Sequence, residues 1–209
     1  MTDQPANNGK MTADEALQRL VDGNARFVSG ASSRQPIGCD WLANLAEGQQ
    51  PFATILGCSD SRVPPEIVFD QGMGDLFIVR VAGHVVGSEI LGSLAYALMH
   101  LRTPLFVVMG HERCGAVQAA LKTKFHGLQE HVRIAQLLDE ILPALEKIDP
   151  SAPPEQQWQR AVEANVRWAV HQLATTPAGS AALAEGHFRI VGAVYELSTG
   201  RVRFLDGET

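Results

Sequence analysis

Between Pro104 and Gly110 the chain reads Leu105-Phe106-Val107-Val108-Met109, an unbroken apolar run. A strand with one wet face alternates apolar and polar residues. A continuous apolar run bounded by proline and glycine fits a strand covered on both faces. A parallel sheet flanked by helices is the architecture that covers both. Two further runs, Phe52-Ala53-Thr54-Ile55-Leu56 and Asp75-Leu76-Phe77-Ile78-Val79-Arg80-Val81-Ala82, read as companion strands.

Helical periodicity fills the intervals. Thr12-Ala13-Asp14-Glu15 is a capping-box pattern that opens a helix over 13–28, ended by Gly30. A short helical segment follows at 40–45. A helix over 88–101 takes Ser88 as its N-cap, and another begins at Ala116. Helices over 128–148 and 155–174 flank the break Asp149-Pro150-Ser151-Ala152-Pro153-Pro154. Strands over 187–197 and 201–205, joined by Ser198-Thr199-Gly200, form a hairpin. The expected fold is α/β: a three-layer α/β/α arrangement with a mostly parallel central sheet, an N-terminal helical arm and a C-terminal hairpin. At 209 residues one core is the default. The expected division is a disordered tail over 1–10 and one domain over 11–209, with 11–48 as the arm and 49–209 as the α/β core.

A net charge of -6 argues against nucleic acid or an anionic membrane surface as partner, since both select for basic patches. No apolar run reaches the about 18 residues that a spanning helix needs. The polar start Met1-Thr2-Asp3-Gln4 shows no signal-peptide core, so the expected location is cytoplasmic. Three cysteines are too few for a disulfide framework. Cys39 reads as a packing residue.

The other two cysteines fall at strand ends, among groups that carry chemistry. The first strand hands over at Gly57 to Cys58-Ser59-Asp60-Ser61-Arg62, and the central strand delivers His111-Glu112-Arg113-Cys114-Gly115. Open α/β sheets place ligands at such ends. Zinc takes thiolate and imidazole in a tetrahedral shell, and three protein ligands leave the open position of a catalytic site. By themselves the residues leave other readings open: packed thiols, a phosphate-cradling thiol loop, or a structural zinc knuckle.

Cys58-Ser59-Asp60-Ser61-Arg62 together with His111-x-x-Cys114-Gly115 closely resembles the β-class carbonic anhydrases. The stretches Gly23-Asn24-Ala25-Arg26-Phe27, Phe77-Ile78-Val79-Arg80 and Val191-Gly192-Ala193-Val194-Tyr195 resemble that family too. The resemblance implies one Zn²⁺ per subunit held by Cys58, His111 and Cys114, with water or Asp60 in the fourth position. It implies reversible hydration of CO2 to bicarbonate by zinc-bound hydroxide, with Asp60 and Arg62 as the catalytic dyad. Gln49, Phe77 and Gly115 would line the substrate pocket. The assembly would be a homodimer or a dimer of dimers, with the site at the interface. In some relatives the aspartate swings onto zinc, and low pH is expected to favour that closed state here. A bicarbonate-regulated subset carries a tryptophan three residues before the first ligand, where this chain has Ile55. Arg80 and Tyr195 match the other members of that regulatory site, so weak or absent bicarbonate inhibition is expected. Rival readings are a carbon disulfide or carbonyl sulfide hydrolase on the same scaffold, and a non-catalytic zinc or bicarbonate-binding protein. His84 reads as a proton relay or as a structural or surface histidine, and no role is assigned to Glu89. Glu112 and Arg113 brace the loop, and His126, His131, His171 and His187 are surface or packing residues.

Overall fold

The computed structural model describes residues 11–32 and 39–205, so the expected tail over 1–10 lies outside the described residues. Strands β1 (Ala53–Gly57), β2 (Leu76–Arg80), β3 (Leu105–His111), β4 (Arg189–Tyr195) and β5 (Val202–Phe204) form one sheet in the order β2-β1-β3-β4-β5. β1 pairs parallel with β2 and β3, β3 pairs parallel with β4, and β5 closes the hairpin antiparallel. Every residue of β1 and β3 is buried, as unbroken apolar runs at the centre of a covered sheet require. β2 lies at the edge, and its Leu76, Phe77 and Ile78 stay half-buried.

Helices α1 (Ala13–Ser29), α2 (Cys39–Ala46), α3 (Pro65–Val68), α4 (Ser88–Tyr96), α5 (Gly115–His126), α6 (Val132–Asp139), α7 (Pro154–Thr175) and α8 (Pro177–Ala184) flank the sheet. The capping box forms at the start of α1. Thr12 Oγ1 accepts from Glu15 N–H at 3.2 Å, and Glu15 accepts from Thr12 N–H at 2.7 Å. The helix buries Ala16, Leu20, Gly23 and Asn24 along one stripe. Asn24 is the staple: its Nδ2 donates to the carbonyls of Val68 and Gly200, and its Oδ1 accepts from Val202 N–H. One amide thus ties the N-terminal arm to the end of α3 and to the C-terminal hairpin.

Three expectations need correction. The helix over 128–148 is not continuous: α6 ends at Asp139, and the chain resumes as a 3₁₀ turn over Leu142–Leu145. Pro143 is the reason, because it has no N–H for the Asp139 carbonyl and its ring would strike that group. Ser88 is not the N-cap of α4. Gly87 is, and the Ser88 hydroxyl turns instead to Glu89 at 3.0 Å. α4 is continued by a π-turn over Ala97–Leu101 rather than by regular helix. The short helices α3 and α8 fall in stretches that periodicity leaves blank. Cys39 opens α2, and its expected packing lies outside the described side chains.

α7 lies close against β3 and β4 because both strands offer glycine there. A Cβ on Gly110 would come within 2.5 Å of Val166 Cγ2, and one on Gly192 within 2.8 Å of Val166 Cγ1. The chain leaves β1 for β2 on one side and returns to β3 on the other, so the strand order reverses between β1 and β3. The crevice outside the carboxyl ends of those two strands is where such sheets take ligands.

Candidate metal centre

β1 delivers Cys58 to that crevice one residue past its end, β3 ends on His111, and Cys114 precedes α5. The ligand atoms of Cys58, His111 and Cys114 lie within 4.8 Å of one another, and all three residues are buried. The two sulfurs are 4.0 Å apart. Two thiolates on a tetrahedral zinc, each at about 2.3 Å, would stand about 3.8 Å apart. His111 Nδ1 lies 2.7 Å from the Glu112 carbonyl. A carbonyl only accepts, so the imidazole proton sits on Nδ1 and Nε2 keeps its lone pair. Nε2 is buried with no partner among the described residues. An unspent imidazole lone pair facing two converging thiols fits a zinc ion in donor chemistry and in spacing.

The thiols perturb each other most strongly. Their contact pulls the Cys58 thiol well below its ordinary value and pushes Cys114 up, with burial adding to the rise. Backbone amides of Asp60 and Gly83 support the Cys58 thiolate, and those of Ala116 and Val117 in the first turn of α5 support Cys114.

Asp60 stands beside the donors with both oxygens committed to Arg62. Arg62 Nε reaches Oδ1 at 2.9 Å, Nη2 reaches Oδ2 at 2.7 Å, and the Arg62 N–H donates to Oδ1 at 3.0 Å. This bidentate fork holds the Asp60 carboxyl well below the usual carboxylate range, so it stays ionised. Oδ2 also lies 3.9 Å from His111 Nε2, which aims the carboxylate at the donor group. Arg80 locks the loop from below: Nε donates to the Cys58 carbonyl at 2.9 Å and Nη2 to the Asp60 carbonyl at 2.6 Å. Glu112 braces the other loop, accepting from Leu197 N–H at 3.0 Å.

The carbonic anhydrase family model matches residues 53–202, a span that takes in all of these groups. Carbonic anhydrase 2 of Mycobacterium tuberculosis is 41% identical over 91% of this chain and 92% of its own length. The β-carbonic anhydrase CafA of Aspergillus fumigatus superposes with a TM-score of 0.75 at 26% identity, over 92% of each chain. The chain belongs to the β-carbonic anhydrase family. A second relative, the carbonic anhydrase of Mycolicibacterium smegmatis, is 40% identical over 90% of each chain.

Against the family's expected site, Cys58, His111, Cys114, Asp60 and Arg62 come together. Gln49 is exposed. Phe77 is half-buried on β2, its ring 6.2 Å from that of Tyr96. Gly115 is the exposed first residue of α5. Ile55 is fully buried in β1 and Tyr195 is buried at the end of β4, while the donors of Arg80 are engaged with loop carbonyls. His84 is not a surface group: it is fully buried, and burial pushes it down to about 4. Glu89 is exposed and bonded to Ser88. His126, His131, His171 and His187 are exposed. Asn165 escaped the sequence reading. A lone asparagine inside a helical pattern carries no local signal, and only the packing of α7 brings it to the site.

Proposed function

We propose that this β-carbonic anhydrase interconverts CO2 and bicarbonate at a Zn²⁺ ion, one per subunit, held by Cys58, His111 and Cys114. The observation that carries the reading is the convergence of three buried donors, one with an unspent lone pair, at the switch point of the sheet. Zinc bound there would acidify water and so supply a hydroxide nucleophile near neutral pH. The chain's own residues do the rest. Two thiolates offset the dication's charge and temper its acidity. A fixed acceptor beside the donors therefore matters. Asp60, kept ionised by Arg62, is that acceptor: it orients the nucleophile's proton and keeps a lone pair turned to the carbon of CO2. Arg80 and Glu112 hold the two loops so that this geometry exists before substrate arrives.

Gln49 and Phe77 take part as pocket residues in an assembly of at least two copies. In support, Gln49 is exposed, β2 is an edge strand with half-buried apolar side chains, and Met73, Tyr96 and Met99 are exposed. Gly115 leaves open space beside Cys114, since a Cβ there would meet nothing within 4 Å. One contiguous core running from Ala16 to Tyr195 supports a single working domain from residue 11 onward. No helix among the described residues is long and apolar enough to cross a membrane. With its donors reduced, the protein suits a cytoplasmic setting.

The test is stopped-flow CO2 hydration on protein of measured zinc content, beside Cys58→Ser. Zinc-dependent hydration that is lost in the variant is the expected result. Full zinc occupancy without hydration would overturn the reading.

A further inference from the structure

α7 contributes no donor to the metal group, yet one of its side chains ends on the loop that carries Cys114 and another on the turn after β2 that faces Cys58. Trp158 and Asn165 stand seven residues apart, two turns along one face of the helix. Trp158 Nε1 donates to the Cys114 carbonyl at 3.1 Å. Asn165 Nδ2 donates to the Gly83 carbonyl at 2.9 Å and to His84 Nε2 at 3.0 Å. Gly83 in turn donates its own N–H to Cys58 Sγ at 3.4 Å.

One backbone bond, from His84 N–H to the Val81 carbonyl at 2.9 Å, closes the turn between these contacts. Gly83 has φ +67° and His84 has φ +45°, two left-handed residues in succession, the second with a side chain that disfavours it. A Cβ at position 83 would come within 2.8 Å of Ile141 Cδ1 and 3.1 Å of Ala116 Cβ, so glycine is needed for this approach. Asn165 is only 2% exposed and bridges both left-handed residues with one amide nitrogen. Its donor is therefore spent on the peptide that leaves Gly83, and that anchor holds the residue whose own N–H, on the preceding peptide, meets the Cys58 sulfur. An N–H aimed at a thiolate draws density from the sulfur lone pairs and makes it a weaker donor to a metal.

We propose that Asn165 is a positioning residue for the metal centre: by clasping Gly83 and His84 it keeps the Gly83 N–H on the Cys58 sulfur and so sets the donor strength of that ligand. This rests on the metal reading above and adds to it a control exerted from α7. Trp158 does the corresponding work on the Cys114 side by fixing the loop rather than the sulfur.

The experiment uses the full chain loaded with cobalt(II). Asn165→Leu keeps the side-chain volume and removes the donor. It should still bind one cobalt per chain, with the sulfur-to-cobalt charge-transfer band moved to lower energy. Val166→Ala, the neighbouring packing residue on α7, should lower thermal stability and leave the band in place. A band unmoved in Asn165→Leu, or moved equally in Val166→Ala, overturns the proposal. A second measurement needs no substitution. In wild-type protein loaded with a spin-active cadmium isotope, scalar coupling should connect the metal to the Gly83 amide proton across the N–H···S bond. A loaded protein without that coupling overturns the proposal while leaving the metal site standing. A chain that takes up neither metal overturns both.

Discussion

His84 is an imidazole with no exposed surface, and it should make the fold acid-sensitive in a defined window. Burial is the main cause that takes it from 6.5 down to about 4, with the nearby Cys58 opposing. In the unfolded chain the same group takes a proton near 6.5. Between pH 6.5 and about 4 the unfolded state therefore binds more protons than the folded state, so stability falls as pH falls through that window. Above 6.5 both states are neutral and the contribution is level. At about 1.4 kcal/mol per pKa unit, the whole effect is about 3 kcal/mol, undiscounted because the ring sees no solvent. The comparison protein is His84→Gln, whose side-chain oxygen can accept from Asn165 but does not titrate. Urea unfolding of both proteins at matched pH values gives the difference curve. Metal content measured at each pH separates zinc release from the titration of His84. The stability difference should shift by about 3 kcal/mol in favour of the variant between neutral pH and pH about 4. Parallel stability curves for the two proteins would refute the assignment of a buried, neutral His84.

The remaining predictions concern activity, packing and metal. Asp60→Asn keeps the shape but not the charge, and kcat/KM for CO2 hydration should fall about 100-fold with zinc content unchanged, as checked by metal analysis. Asn24→Ala removes three hydrogen bonds that join the arm to the hairpin, and should cost about 3 kcal/mol in chemical denaturation at about 1 kcal/mol per bond. Gly110→Ala forces a Cβ to 2.5 Å from Val166 Cγ2 and should lower stability by about 1–3 kcal/mol. Chelation of the metal in air leaves two sulfurs 4.0 Å apart and unligated. They should lose two protons and two electrons to oxygen and close a Cys58–Cys114 disulfide, visible by mass spectrometry and blocking metal uptake until reduced.

The sequence carried the strands well because burial on both faces leaves an unmistakable trace, and β1 and β3 hold almost nothing else. The donors were conspicuous at their strand ends, but position alone left packed thiols and a phosphate-cradling loop open, and it was the resemblance of the two motifs to the β-class carbonic anhydrases that singled them out. What was not legible depends on distant packing. The break at Pro143 is local and visible in hindsight, whereas α3 and α8 are too short to show a period. His84 is a polar residue in a glycine-flanked loop, which reads as exposed. Only the arrival of α7, admitted by the missing side chains of Gly110 and Gly192, buries it and makes Asn165 its partner. The donor role of Arg80 toward two loop carbonyls was hidden as well, because nothing in a strand-end arginine says where its guanidinium turns.

The position of α7 has a consequence for biosynthesis. The donor set is complete at Cys114, whereas α7 does not begin until Pro154. At about 5–20 residues per second, a ribosome leaves the thiols and the histidine without their brace for about 2–8 s. A metal captured in that interval meets a loop not yet clamped, and α7 then closes over an occupied centre. A metal arriving later meets a finished clasp. The same chain thus offers two routes of loading with different kinetic barriers, divided by the emergence of one helix.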